Sequence, residues 1–441
     1  MPLVALHTFG CKINQYETQG MGEALVRAGY ALAREGEGAD LHVVNTCTVT
    51  ESADAQCRQL VRRIVRENPE ARVVVTGCYA QRDPEAVARI PGVALVVGQS
   101  EKGRIAEIVR ARVEGRRGAE ASAGRILHEP AGGRRLEYDE TPVARFDRTT
   151  RATVKVQDGC DGHCGFCVIP AVRGRSRSRS ARAVVDEARR LVDAGHLEIV
   201  LTGVHLGSWR DPERRARLDA LVERVLAVPG LRRLRLSSLE PQHLTDRLLG
   251  LAAAPTLMPF FHLPLQSGDD GTLRRMRRGY TTRHFAEKVA RLVARRPDVG
   301  IGTDILVGYP GEDAESFERS LRFVASMPFT RLHVFPYSPR PGTEAASLAD
   351  AVPPAEKRER AARMRAVSDE KGAAFERRFV GARAEVLVEA KRTPQGRLAG
   401  YTGNYVRAEL PGDEALVNRI VAVTLHEGRR GLRGVPVGEA A

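Results

Sequence analysis

Between Arg151 and about Arg340 the chain repeats one unit: a short apolar run, then a stretch with helical spacing. The apolar runs fall at 152–157, 197–202, 231–237, 259–265, 300–307 and 331–336. Helical patterns occupy about 181–194, 215–228, 243–252, 282–295 and 313–326. Continuous apolar runs mark strands buried on both faces, and strands joined through helices lie parallel. Six such units are too few for a complete eight-stranded barrel.

The same alternation runs from residue 1 to about 113. Leu3–Phe9, Leu41–Thr46, Arg72–Thr76 and Val93–Val97 read as buried parallel strands. Tyr16–Ala28, Ser52–Val65 and Pro84–Ile90 read as helices between them, so a small doubly wound sheet is expected. From Ala111 to Thr150 the pattern dissolves into Arg, Glu, Gly and Pro, which reads as a linker or irregular insertion. Pro353 to about Arg378 reads as a long charged helix or a helix pair. Short strand-like runs with glycine turns at 384–389, 397–400, 405–409, 416–425 and 431–437 then suit a small antiparallel barrel. The expected segments are an α/β cluster domain at 1–113, a linker at 114–145, a central domain at 146–372 and a C-terminal barrel at 373–441.

The first central strand leads into Val156-Gln-Asp-Gly-Cys-Asp-Gly-His-Cys-Gly-Phe-Cys-Val-Ile-Pro170, with Cys160, Cys164 and Cys167 at C-x3-C-x2-C spacing. A structural zinc site closes with four ligands, usually as two C-x2-C pairs. Here three thiols share one loop, and the candidate fourth ligand, His163, sits between two of them, where it would compete for the same ion. A four-iron cluster on three thiolates leaves one iron open, and ligand count and spacing favour it over zinc.

Cys11, Cys47 and Cys78 each fall just beyond the carboxyl end of an N-terminal strand. In an open parallel sheet those ends share one edge, so three thiols more than 30 residues apart in sequence would converge. Either they hold a second open cluster or they are buried core cysteines. Cys57 differs: with Ala53, Leu60 and Ile64 it lies on one apolar helix face and reads as core.

The net charge of +14 favours a polyanionic partner, nucleic acid first. Basic residues number 62 Arg and 7 Lys; since Arg-for-Lys exchange keeps the charge, that skew does not explain the excess. Seven cysteines argue against a disulfide framework and for metal or catalysis. No apolar run of 18 residues and no secretory leader are visible, so no membrane partner and a cytoplasmic location are expected. The runs Arg173–Arg179 and Arg274–Arg278 read as phosphate contacts, and Tyr401, Asn404, Tyr405 and Arg407 as a possible stacking surface for RNA.

The cysteine loop, with Phe166 as the aromatic, resembles the C-x3-C-x-aromatic-C signature of the radical SAM superfamily. That resemblance implies a partial (β/α)6 barrel and S-adenosylmethionine on the open iron. It also implies that polar clusters past the strand ends bind that cofactor: Thr202 and Gly203 at its amino group, Ser238, Glu240 and Gln266 at polar and ribose atoms, and the segments at Gly308 and Phe335 at its adenine.

Along nearly the whole chain the resemblance is to the methylthiotransferases, with an N-terminal cluster domain, a radical SAM domain and a C-terminal TRAM domain. Phe9-Gly-Cys-Lys-Ile-Asn-Gln-Tyr-Glu-Thr18, Asn45-Thr-Cys-Thr-Val-Thr50, Leu201-Thr-Gly-Val-His-Leu-Gly207 and Arg235-Leu-Ser-Ser-Leu-Glu-Pro241 look like the bacterial branch acting on N6-threonylcarbamoyladenosine in tRNA. The resemblance implies two 4Fe-4S clusters, one at Cys160, Cys164 and Cys167 that cleaves S-adenosylmethionine to a 5′-deoxyadenosyl radical, and one at Cys11, Cys47 and Cys78 that presents sulfur. Carbon 2 of the modified adenine, on the 3′ side of the anticodon, would receive the methylthio group. An aromatic C–H is inert to acid–base chemistry, so cofactors must carry the step. Implied partners are the tRNA anticodon stem-loop, an electron donor such as flavodoxin or ferredoxin, and a sulfur source. Within the class, isopentenyladenosine in tRNA or a ribosomal-protein aspartate would be the rival substrate. Outside it, a metal-stabilised RNA-binding protein would need closed four-ligand sites.

Overall fold

The computed structural model describes residues 1–34, 36–112, 125–131, 138, 142–146, 149–349, 352–428 and 431–437. The sequence expected as a linker therefore lies partly outside the described residues, at 113–124, 132–137 and 139–141. The chain divides into two compact units. One comprises Met1–Ala144, Lys155–Arg179 and Ser338–Ala346; the other comprises Arg145–Val154, Ser180–Tyr337 and Ser347–Ala441.

The first unit opens with β1 (Leu3–Thr8), α1 (Lys12–Arg27), β2 (Ala31–Leu32), β3 (Leu41–Thr46), α2 (Glu51–Glu67) and β4 (Arg72–Gly77). It continues through α3 (Cys78–Arg82), α4 (Pro84–Ala88), β5 (Val93–Val97), α5 (Ile105–Arg112) and β6 (Arg125–Leu127). All neighbours in its sheet, ordered β2-β1-β3-β4-β5-β6, are parallel. Strand side chains alternate between faces, so Val44, Val73 and Val75 meet Cys57, Leu60, Val61 and Ile64 of α2 on one side. Val4, Val43 and Val74 meet Met21 and Leu25 of α1 and Ile105, Ile108 and Val109 of α5 on the other. Cys57 is core, as its helical spacing implied. Strand β6 lies inside the expected linker and adds an edge to the sheet.

Strand β7 (Arg151–Asp158) begins in the second unit and ends in the first, where it pairs antiparallel with β8 (Arg177–Ser178) around the loop and α6 (Ile169–Arg173).

The second unit carries α7 (Ala181–Asp193), β9 (Glu198–Gly203), α8 (Leu218–Leu226), β10 (Arg233–Leu236), α9 (Asp246–Leu251) and β11 (Phe260–His262). Next come α10 (Asp270–Arg275), α11 (Thr282–Arg295), β12 (Gly300–Val307), α12 (Ala314–Ser326), β13 (Arg331–Pro336) and α13 (Pro354–Arg377). Strands β9 and β10 are parallel, as are β11, β12 and β13. The bridge Leu234–Leu257 and the bond from Leu239 N to His262 O, 2.9 Å, continue the arrangement from β10 to β11. Together with β7, these five make the six strands expected from the apolar runs, each within a few residues of its expected bounds.

The chain ends in a closed barrel of β14 (Arg383–Arg392), β15 (Leu398–Tyr401), β16 (Arg407–Leu410), β17 (Ile420–Glu427) and β18 (Leu432–Pro436), ordered β14-β15-β16-β18-β17. Val386, Val388, Leu398, Ala408, Leu410, Val423 and Leu425 fill it. The barrel is not wholly antiparallel, because β16 and β18 run parallel. A closed ring of five strands cannot alternate direction at every seam, so at least one seam must be parallel.

Tyr401, Asn404 and Tyr405, read from sequence as an RNA surface, are spent on packing within this unit. Tyr405 meets Phe260 edge-on at 4.5 Å, and the Arg235 guanidinium lies 3.7 Å above its ring. Arg235 donates to the carbonyls of Thr402 and Gly403 and pairs with Glu198 at 2.6 Å. Asn404 is buried and donates to Asp298 O. Arg407 pairs with Glu409.

Candidate active site

Cys11, Cys47 and Cys78 follow β1, β3 and β4, three neighbouring strands, so their shared edge is that of the sheet's carboxyl ends. Polar residues there hold the three turns together. Asn14 Nδ2 donates to Phe9 O at 2.7 Å and Thr46 O at 2.9 Å, while Asn45 Nδ2 donates back to Asn14 O at 3.0 Å. Thr46 Oγ1 donates to Thr76 O at 2.6 Å and accepts from Tyr79 N at 3.1 Å, which sets Cys47 beside Cys78. Gly10 adopts φ +93°, and a Cβ there would stand 2.8 Å from Cys47 Sγ, so only glycine fits. Gln99 Nε2 donates to Cys78 Sγ at 3.4 Å.

Cys11 is exposed, whereas Cys47 and Cys78 are buried. Burial, helped by the neighbouring Cys78, pushes the Cys47 thiol up to about 11. Burial raises Cys78 too, against the pull of Arg173 and Lys102. These thiols favour the protonated form until a metal replaces the proton.

The second cysteine set lies in the same compact unit. After β7 the chain turns at Gly159, φ +68°, where a Cβ would strike Arg175 O at 2.1 Å. Cys160 N donates to Gly174 O at 3.0 Å, Gly162 N to Cys160 Sγ at 3.2 Å, and Cys167 N to Cys164 O at 3.0 Å. Val168, just before α6, and Val172, within it, pack against Cys78 of the other set.

Arg173 ends α6 and is fully buried. It donates to Asn14 Oδ1 at 2.6 Å, Glu17 Oε1 at 2.9 Å and Asp158 Oδ1 at 3.0 Å. Lys102 and Lys155 also pair with Glu17, at 2.6 and 2.9 Å, and Arg177 with Asp158 at 2.8 Å. Burial alone would raise the Glu17 carboxyl, but Arg173, Lys102 and Lys155 hold it well below the usual carboxylate range. This corrects the reading of Arg173–Arg179 as a phosphate-binding run. Arg173, Arg177 and Arg179 are buried, and of its arginines only Arg175 is exposed. In the other run Arg274, Arg275 and Arg277 are exposed, but Arg278 pairs with Glu240.

In the second unit the expected cofactor ring occupies strand ends. Thr202 and Gly203 close β9, Ser238 and Glu240 follow β10, Gln266 follows β11, Gly308 follows β12 and Phe335 lies on β13. Gln266 takes φ +72° and bridges to Ile305. Gly308 N donates to Glu312. Phe335 is an exposed large apolar side chain. Phe166 belongs to the first unit.

The sequence reading missed His262, Asp304 and His333, which share one face of β11, β12 and β13. Asp304 Oδ1 lies 3.2 Å from His262 Nε2 and 3.3 Å from His333 Nδ1. Ser238 Oγ is bonded to His262 Nδ1 at 2.8 Å. The registers His262↔Gly302 and Asp304↔His333 produce this meeting, which linear spacing conceals.

Among the described residues, His262, Asp304 and His333 are the group whose three donor atoms close to the spacing of a single ion. Neither cysteine set does so, although each converges on one edge or loop. Thiolates around a four-iron core stand at separate corners of a cube, so three spread soft donors fit a cluster better than one zinc ion.

Residues 3–98 match the family described as uncharacterized protein family UPF0004, and residues 154–324 match the radical SAM superfamily. The chain is 37% identical to threonylcarbamoyladenosine tRNA methylthiotransferase MtaB of Bacillus subtilis, over 96% of this chain and 94% of that one. It belongs to the radical SAM tRNA methylthiotransferases. Another relative of that name, from Thermotoga maritima, is 35% identical over 94% of this chain and 92% of its own. A tRNA-2-methylthio-N(6)-dimethylallyladenosine synthase of Novosphingobium aromaticivorans is 34% identical, with 97% and 96% covered. Among solved structures, the radical S-adenosylmethionine methyltransferase TsrM of Kitasatospora setae shares the fold, with a TM-score of 0.59 and 21% identity over 78% of this chain and 77% of that one. As a radical SAM tRNA methylthiotransferase, this protein is an enzyme that uses S-adenosylmethionine and 4Fe-4S clusters on a tRNA substrate.

Proposed function

We propose that the enzyme methylthiolates carbon 2 of N6-threonylcarbamoyladenosine at position 37, on the 3′ side of the tRNA anticodon. The observation that carries this reading is the pair of three-thiol sets, Cys11, Cys47, Cys78 and Cys160, Cys164, Cys167, in one compact unit. The choice of nucleoside is supported by the names of the Bacillus and Thermotoga relatives.

When bound, the cofactors supply one-electron cleavage of the sulfonium bond and the sulfur to be transferred. Cys160, Cys164 and Cys167 are assigned to one cluster, and Cys11, Cys47 and Cys78 to an auxiliary one. Thr202, Gly203, Ser238, Glu240, Gln266, Gly308, Phe335 and Phe166 are assigned to S-adenosylmethionine. The glycine turns let backbone close round the inorganic cores, and Gly162 N steadies the Cys160 sulfur. Phosphate contacts fall to the exposed Arg175, Arg274, Arg275 and Arg277. The C-terminal barrel is assigned to the RNA stem, and the electron donor to the flavodoxin or ferredoxin class, in the cytoplasm. Among the described residues no helix is long and apolar enough to cross a membrane.

Mass spectrometry of tRNA nucleosides from cells with and without the gene tests the reading. Loss of the 2-methylthio derivative of N6-threonylcarbamoyladenosine, with its unthiolated parent accumulating, is expected. Loss of the methylthio-isopentenyl nucleoside instead would transfer the assignment to the substrate named for the Novosphingobium relative.

A further inference from the structure

Among the described residues, the buried polar network between α1 and α6 holds more cations than carboxylates. Glu17 and Asp158 face Lys102, Lys155, Arg173 and Arg177, and all six side chains are at most 8% exposed. Among the described residues of this network the cations outnumber the carboxylates by two, four against two. Buried charge is costly unless an opposite charge lies close. The groups beside the network that become anions on loading with metal are the thiols of Cys47 and Cys78. Val172, one residue before Arg173, packs on Cys78, and Arg173 donates to Asn14 Oδ1, whose amide holds the Phe9 and Thr46 carbonyls beside the Cys11 and Cys47 turns. Gln99 adds a directed bond, donating to Cys78 Sγ from a buried amide whose backbone N–H is fixed by Gln81 Oε1 at 2.8 Å.

We propose that Arg173 and Gln99 are positioning residues that set the charge state of the auxiliary cluster. Arg173 does so through its buried positive charge and Gln99 through its bond to a ligand sulfur. Both stabilise the more negative state: the cluster after it gains one electron, or the cluster with hydrosulfide added at its open iron. This rests on assigning Cys11, Cys47 and Cys78 to that cluster. Hydrogen bonds to cluster sulfurs and local net charge are the protein's means of setting such potentials. Arg173 also sits six residues past Cys167, the last cysteine of the other loop. One short helix thus carries the charge that serves one cluster from the loop that binds the other.

The test uses anaerobically reconstituted full-length enzyme carrying Cys160→Ala, so that only the auxiliary cluster remains. Its midpoint potential is read by electron paramagnetic resonance during a redox titration, and its affinity for sodium hydrosulfide by the change in the same spectrum. Adding Gln99→Leu should move the midpoint to a more negative potential and weaken hydrosulfide binding by about tenfold. Arg173→Met should move both further, and Arg173→Lys should restore part of the shift. A Gln99→Leu protein with full iron content, an unmoved midpoint and unchanged hydrosulfide affinity overturns the proposal alone. This variant decides the matter even where Arg173→Met fails to fold. Absence of any cluster from the Cys160→Ala parent overturns the cysteine assignment itself.

Discussion

At Gly10 one hydrogen atom leaves room for the Cys47 thiol. A methyl group there would meet both Cβ and Sγ of Cys47 below 3 Å, at a φ that costs an L-residue energy in any case. Gly10→Ala should therefore lower bound iron and sulfide to about half the wild-type content while the other cluster stays, measured by iron and acid-labile sulfide analysis. The two cysteine sets should also divide by role. Cys160→Ala should abolish S-adenosylmethionine cleavage, and Cys47→Ala should end methylthiolation while sparing uncoupled cleavage. Chromatography of 5′-deoxyadenosine against modified tRNA checks this, and equal loss of cleavage in both contradicts it. That Cys11, Cys47 and Cys78 follow neighbouring strands, and that the other three share one loop, was legible from spacing. Asn14, Asn45, Thr46 and Gln99 were not, because a polar residue in a strand or turn announces no partner until the sheet brings strands 1, 3 and 4 together. Arg173 was misread for a related reason: a run of arginines looks solvated unless the carboxylates that bury it, Glu17 and Asp158, are seen.

Among the elements, the segments that follow β9 and β10 carry two histidines, His205 and His243, whose Nε2 atoms are 3.0 Å apart. Two imidazoles at that separation share one proton at most. Burial and then His205 lower His243 to about 4 from an ordinary 6.5. The unfolded chain thus takes up a proton near 6.5 that the folded chain refuses until about 4. Stability should be level above 6.5, fall as pH drops from 6.5 to 4, and level again below. His243→Gln should flatten part of that fall, read as the urea midpoint against pH. At the opposite end of the same strands Glu198 is buried beneath Arg233 and Arg235. Arg235→Ala leaves that carboxylate without its closest cation and frees the Thr402 and Gly403 carbonyls, so a loss of about 3–5 kcal/mol is expected by chemical denaturation. Most central strands were legible because buried parallel strands are apolar runs, although β13 is largely exposed. Strand β6 was not, since three residues with one arginine carry too little apolar signal. The parallel seam of the C-terminal barrel escaped for a different reason: it is a property of closing five strands and belongs to no residue.

For the whole molecule the +14 charge is what tRNA meets at long range. Binding to an anticodon stem-loop should weaken linearly in log–log form as salt rises. Arg275→Ala and Arg277→Ala should each reduce the slope by about 0.7–0.9, whereas the buried network of Arg173, Arg177 and Arg179 should contribute nothing to it. Filter binding across a salt series separates the two groups. Composition made the charge legible, but it could not say which arginines face water.

The first compact unit is assembled from three separated lengths of chain, Met1–Ala144, Lys155–Arg179 and Ser338–Ala346. A ribosome delivers them in that order. Among the described residues, Glu17 can pair with Lys102 early and waits for Lys155 and Arg173. Asp54 can pair with Arg82 at once but receives Arg340 only after most of the chain has been made. The strands that lead to Cys11, Cys47 and Cys78 are thus made first, and the buried ion pairs of the same unit are completed only as Lys155, Arg173 and Arg340 emerge.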